Sequence, residues 1–126
     1  NLWNNFKSKN FSMFVGSEKK LLDGLRLGAA GCISATTNIT GSLAKKVFDD
    51  FNKTGDSVDD LKLKNLRTVF DDTGNLISAL HTLKSLQNKI YSNMLPPLDL
   101  LNDEKKNEMI KKLKDLNFLP KKNIAA

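Results

Sequence analysis

The sequence is poor in the residues that most often announce chemistry. Among 126 residues there is one cysteine, one histidine, one tyrosine and one tryptophan, with only three prolines. A lone Cys32 inside an apolar run excludes a disulfide framework within the chain and points to a reducing compartment. A basic partner for it as a nucleophile is not evident, so it reads as a small buried apolar residue. The single His81 lies beside Leu80 and Leu83, and without a second histidine or a cysteine cluster no metal site is expected. No basic, apolar and small-residue succession opens the chain, so no signal peptide is read. The longest weakly charged stretch, Leu27 to Ala44, is broken by Ser34, Thr36, Thr37, Asn38, Thr40 and Ser42, which makes it a poor membrane span. A soluble, cytoplasmic protein is expected. Cofactor fingerprints are missing as well: Gly24, Gly28 and Gly31 have the wrong spacing for a dinucleotide loop, and Gly41 to Lys46 lacks the first glycine of a P-loop.

What is present is an ordinary globular mixture, 40% hydrophobic and 27% charged, which can bury a core within one domain-sized chain. Twenty Lys and Arg against fourteen Asp and Glu give a net charge of +6. The cations run from Lys7 to Lys122 without forming a patch or a recognisable motif, so they read as solvated surface and nucleic-acid binding is not expected. Asn38-Ile39-Thr40 and Asn52-Lys53-Thr54 match the glycosylation pattern, by chance in the absence of a secretory signal. Leu2, Trp3 and Phe6 already form a helical stripe behind Asn1, which reads as a chain that begins inside a fold.

Two regions of different character follow. Through residue 53 the pattern alternates: the short helix, a strand Phe11–Val15, a helix from about Ser17 to Leu27, a strand Gly31–Thr36, and a helix carrying Leu43, Val47, Phe48 and Phe51. Strands separated by a helix pair in parallel through a crossover, which should be right-handed. Two strands alone leave open edges and an uncovered face, so further strands must be supplied. From 54 to 126 the signal is helical. A helix capped by Asp56 or Ser57 should run to about Asp72 with Leu63, Leu66, Val69 and Phe70 buried. A second, from Leu76 to Ile90, should stop before Pro96-Pro97, and a third should be capped by Asn102 with Met109, Ile110, Leu113 and Leu116 as its core. The tail from Pro120 reads as loose.

The first region carries a motif: a strand followed by Gly16-x-Glu18, a helix ending in Leu27-Gly28, then Gly31-x-Ile33-Ser34 and Asn38. This combination resembles the dihydrodipicolinate synthase and N-acetylneuraminate lyase family around its seventh and eighth barrel strands. Met94-Leu-Pro-Pro-Leu98 followed by a last helix is similar to the family's helical C-terminal appendage, so the resemblance spans nearly the whole chain. It implies an α/β fold: the C-terminal portion of a TIM (β/α)8 barrel, with the last two parallel strands in residues 1–53 and a C-terminal helical region in residues 54–126. Active sites of such barrels lie at the carboxyl ends of the strands. The resemblance therefore implies substrate binding by Gly16 and Ile33 against pyruvate, with Glu18 and Ser34 as further candidates. Without it, Ser17 and Glu18 read as a helix cap and a first-turn acid, and Asn38 as either a loop-fixing side chain or a ligand contact.

Family chemistry begins when a lysine amine condenses with the keto group of pyruvate, and the enamine derived from that iminium adds to an aldehyde. No lysine here matches: Lys7 and Lys9 follow the first helix, Lys19 and Lys20 open the second, and the resemblance sets the catalytic lysine on a strand upstream of Asn1. Tyr91 does not match the family's tyrosine either. The resemblance implies a pyruvate-dependent lyase or aldolase fragment, inactive alone, with an aldehyde as second substrate, no cofactor and a homo-oligomeric parent. The alternative is a non-catalytic oligomerising module that completes its sheet with a partner.

Overall fold

A computed structural model describes residues 2–6 and 8–119 of the chain. The expected apolar contacts of Leu2 and Trp3, the placement of Lys7 and the tail from Pro120 lie outside the described residues. The chain divides into two compact units, residues 1–64 and 65–126.

In the first unit, helix α1 (Leu2–Phe6) precedes strand β1 (Phe14–Val15), helix α2 (Leu21–Arg26), strand β2 (Gly31–Cys32) and helix α3 (Thr37–Thr54). The strands pair in parallel, with Phe14 opposite Gly31 and Val15 opposite Cys32. Both are shorter than the apolar runs Phe11–Val15 and Gly31–Thr36 suggest. Each has one neighbour, and Ser34 to Thr36 are drawn into side-chain bonds and the entry to α3. A mixed α/β arrangement is thus present, as a small parallel sheet within a largely helical chain. The run from Ser17 to Leu27 begins as a 3-10 turn, Glu18–Lys20, before becoming α2. Helix α3 stops where Gly55 adopts φ 79°, a left-handed conformation that costs glycine no Cβ clash.

The core of this unit comprises Leu21, Leu22, Leu25, Ala44, Val47 and Leu63, with Cys32, Leu43, Phe48 and Phe51 packed against it. Spacings of three and four residues put these side chains on single faces of α2 and α3. Gly24 lies at the closest approach of α2 to the sheet: a Cβ built there would meet Val15 Cγ1 at 2.6 Å. On the surface, Lys46 Nζ bridges Asp50 at 2.8 Å and Asp59 at 2.6 Å, while Ser57 Oγ donates to Asp50 at 2.9 Å. These contacts set the turn that leads from α3 into helix α4 (Asp60–Asp71), which carries the chain into the second unit.

The second unit adds helix α5 (Leu76–Ser85), a 3-10 turn at Lys89–Ser92 and helix α6 (Asp103–Asp115). Leu66, Val69 and Phe70 of α4, Leu80 and Leu83 of α5, and Met109 and Leu113 of α6 are buried, as their periodicity predicts. Helix α5 ends earlier than its apolar pattern suggests and leaves Ile90 exposed. The Asn88 side chain accepts from the Ile90 N–H at 3.0 Å, offering the backbone a partner that competes with helix continuation. Asn75 and Asn102 cap α5 and α6, accepting from Ser78 N–H at 3.1 Å and Lys105 N–H at 2.9 Å. Asn117, at φ 50°, closes α6, with the Phe118 N–H donating to the Leu113 carbonyl at 3.0 Å. Among the described residues no helix is long and apolar enough to cross a membrane.

Replacing Gly24 by alanine is expected to destabilise the chain. Alanine favours a helix by roughly 1 kcal/mol over glycine, but overpacking typically costs about 1–3 kcal/mol, and here the clash is with a β-branched side chain on the sheet. Thermal unfolding followed by circular dichroism should show a lower Tm for Gly24→Ala and a partial recovery in Val15→Ala/Gly24→Ala. For the second unit, Asn102→Ala should cost about 1 kcal/mol in urea unfolding through loss of the cap.

Candidate functional site

Parallel pairing brings the carboxyl ends of β1 and β2 to the same end of the sheet. Gly16 and Ile33 follow directly after the last paired residues, Val15 and Cys32, and the Ile33 N–H donates to the Val15 carbonyl at 3.0 Å. Side chains alternate across a strand. Val15 packs on Gly24, and Cys32 packs against the helical core, so both face the helices. Phe14 and Ile33 fall on the other face, where they are 49% and 72% exposed. Gly31 sits under the Phe14 ring, 3.6 Å from where a Cβ would stand. At Gly16 a Cβ would meet nothing within 4 Å, and the residue is not among the positive-φ glycines. Neither crowding nor backbone conformation among the described residues accounts for glycine at that position.

Behind these strand ends lies a polar cluster. Ser17, in extended conformation, accepts from the Lys19 N–H at 3.4 Å and starts the 3-10 turn, which carries Glu18 inward until it is fully buried. The Ser34 hydroxyl donates to Glu18 Oε2 at 2.5 Å, and the Thr36 hydroxyl donates to Glu18 Oε1. Ser34 Oγ and Thr36 Oγ1 are themselves 3.0 Å apart. The carboxylate therefore ties the turn after β1 to the segment after β2. That segment is fixed further from its own side chains: Thr37 Oγ1 donates to the Ser34 carbonyl at 2.5 Å, Asn38 Nδ2 to the Ala35 carbonyl at 2.9 Å, and Thr40 Oγ1 to the Thr36 carbonyl at 3.1 Å.

The four residues singled out from sequence thus fall into two pairs. Gly16 and Ile33 are neighbours at adjacent strand ends, and Glu18 and Ser34 are hydrogen-bonded to each other. Asn38 makes the loop-fixing bond. Thr36 escapes the sequence reading because it closes the run Gly31–Thr36 that reads as strand, although a Ser-x-Thr spacing just before a helix is a signal for hydroxyls that bond nearby groups. Burial, and next the charge of Glu18, push the Cys32 thiol above its ordinary range. A thiol so disposed stays protonated near neutrality, the opposite of what a nucleophile needs. Among the described residues no three His, Cys, Asp or Glu side chains are grouped to hold a metal ion.

In comparison with known families, the sequence model of the Dihydrodipicolinate synthetase family matches residues 3–116. Among curated proteins no match is found.

The Cys32 thiol provides a direct test of the buried cluster. Its alkylation rate should remain low at pH 8 and rise only well into the alkaline range. Glu18→Gln removes a negative charge that disfavours the thiolate, so the apparent pKa should fall, while burial keeps it above that of an exposed cysteine. A pH–rate profile with iodoacetamide, read by intact mass, checks both directions.

Proposed function

The chain belongs to the dihydrodipicolinate synthetase family, and on that premise we propose that it supplies the C-terminal part of a pyruvate-dependent lyase or aldolase. In this reading residues 1–53 are the last two βα units of a TIM barrel, residues 54–126 are the helical appendage, and the lysine that forms the Schiff base lies on a strand outside this chain. The parent is a homo-oligomer acting on pyruvate and an aldehyde.

The observation that carries the proposal is that Gly16 and Ile33 immediately follow the last paired residues, Val15 and Cys32, at the carboxyl ends of two parallel strands, with Ile33 exposed on the face away from the helices. Barrel enzymes bind substrate at that end of their strands. A glycine with free space where a Cβ would be allows a three-carbon keto acid to approach the backbone closely. The Ile33 N–H is engaged by Val15, which leaves the backbone beyond it to meet the ligand. The lysine amine would condense with the keto carbon, releasing water and giving an iminium. Loss of a proton from the neighbouring carbon gives an enamine that adds to the aldehyde. The residues of this chain then hold pyruvate and do not bond to it covalently.

Treatment with pyruvate and sodium borohydride, followed by intact-mass measurement, tests this reading. A reduced pyruvate adduct is expected on a polypeptide that joins this chain to the lysine-bearing strand, and none on this chain alone. A pyruvate adduct on a lysine within residues 1–126 would overturn the assignment. In the joined polypeptide, Gly16→Val should raise the pyruvate concentration needed for half-maximal trapping by at least about tenfold, the cost of filling space reserved for a ligand.

A further inference from the structure

Glu18 and Ser34 were expected at the pyruvate site as contacts, yet the geometry points to a different task. We propose that Glu18 is a positioning residue: its buried carboxylate, gripped by the Ser34 and Thr36 hydroxyls, braces the segment after β2 so that the backbone at Ile33 keeps a fixed place beside Gly16. The proposal deepens the aldolase reading and rests on it for the identity of the ligand, though not for the existence of the brace.

Three observations support it. First, both carboxylate oxygens are used: Ser34 Oγ lies 2.5 Å from Oε2, and the Thr36 hydroxyl donates to Oε1. A hydroxyl has one proton to give, and those of Ser34 and Thr36 are given to Glu18. Second, the anchors are unlike in sequence position but adjacent in space. Glu18 stands two residues beyond Gly16 and is bonded to Ser34, which directly follows Ile33, so one carboxylate lies close in the chain to both strand ends. Third, Glu18 is fully buried, whereas Ile33 is 72% exposed. A ligand at the open strand ends meets the backbone around Ile33 without meeting the carboxylate, which acts through the loop it holds. Hydrogen bonds to a charged acceptor in a water-poor site are among the stronger ones available to a side chain, which suits them to hold a loop in one conformation.

The experiment has two arms. In this chain, amide hydrogen exchange is followed at Ile33 and at Thr37 to Thr40, whose N–H groups bond to Val15, Ser34, Ala35 and Thr36. Glu18→Gln is expected to speed exchange at these amides by about tenfold or more, as for loss of a hydrogen bond to a charged group, while amides late in α3 keep their wild-type rates. The pair Ser34→Ala/Thr36→Val should reproduce the effect, and adding it to Glu18→Gln should change little further, because the three side chains act as one unit. Unchanged exchange in Glu18→Gln would overturn the brace.

In the polypeptide joined to the lysine-bearing strand, the pyruvate concentration for half-maximal borohydride trapping is measured for the same variants. A brace predicts that Ser34→Ala raises it in the wild-type background by several-fold and leaves it unchanged in the Glu18→Gln background. An equal rise in both backgrounds would mean that Ser34 touches pyruvate itself, and would overturn the proposal. If the unaltered polypeptide trapped no pyruvate, the aldolase reading would fall, and the exchange measurements would still decide whether the brace exists. Glu18→Asp serves as the conservative control: with the charge retained and the reach shortened by one methylene, it should restore part of the protection that glutamine loses.

Discussion

Two strands can lie parallel only if the chain returns to the starting end of the sheet before the second strand begins. In this protein the return is made by the turn at Glu18–Lys20 and helix α2, and nearly everything else in the first unit follows from it. The helix must lie against the strands it connects, so Gly24 is brought close to Val15 and leaves no space for a Cβ. The return also orients both strands alike, so that Gly16 and Ile33 end up side by side. Antiparallel pairing would have sent these two strand ends to opposite ends of the sheet.

The same crossover explains why a carboxylate is tolerated inside. Burying an unpaired charge is expensive, and a buried carboxylate is retained only where donors meet it. Glu18 leaves β1 at the end where Ser34 and Thr36 leave β2, so parallel pairing itself delivers the donors to the acceptor. Its charge then falls on Cys32, which reinforces the effect of burial in keeping that thiol protonated. The polar cluster and the apolar core are thus consequences of one topology: the sheet face toward α2 and α3 is packed, its far face is open, and the rim between them is polar and hydrogen-bonded.

Much of this was legible along the chain. Apolar residues every third or fourth position marked α3 to α6 and named most of their buried side chains, because a helix's faces follow directly from sequence spacing. The caps at Asn75 and Asn102 were of the same local kind, though only Asn102 was anticipated. Strand lengths were not legible: the apolar runs around Phe14 and Cys32 extend beyond the paired residues, since pairing depends on a neighbour's backbone rather than on a residue's own preference. The end of α5 departs from its apolar period for a related reason. Leu86 and Ile90 keep the helical period, while the Asn88 side chain offers Ile90 a local alternative that periodicity does not detect.

By itself, then, the sequence determined the family and the order of helices and strands, though not the length of the strands, because motif spacing, periodicity and capping are properties of contiguous residues. Only the tertiary structure decided what Glu18 and Ser34 do to one another. They are 16 residues apart in the chain, and the 2.5 Å bond between them exists because α2 folds back over the sheet. Thr36 joined them for the same reason. A side chain's partner is chosen by which strands become neighbours, and that choice is made by the packing of the whole unit rather than by any stretch of residues within it.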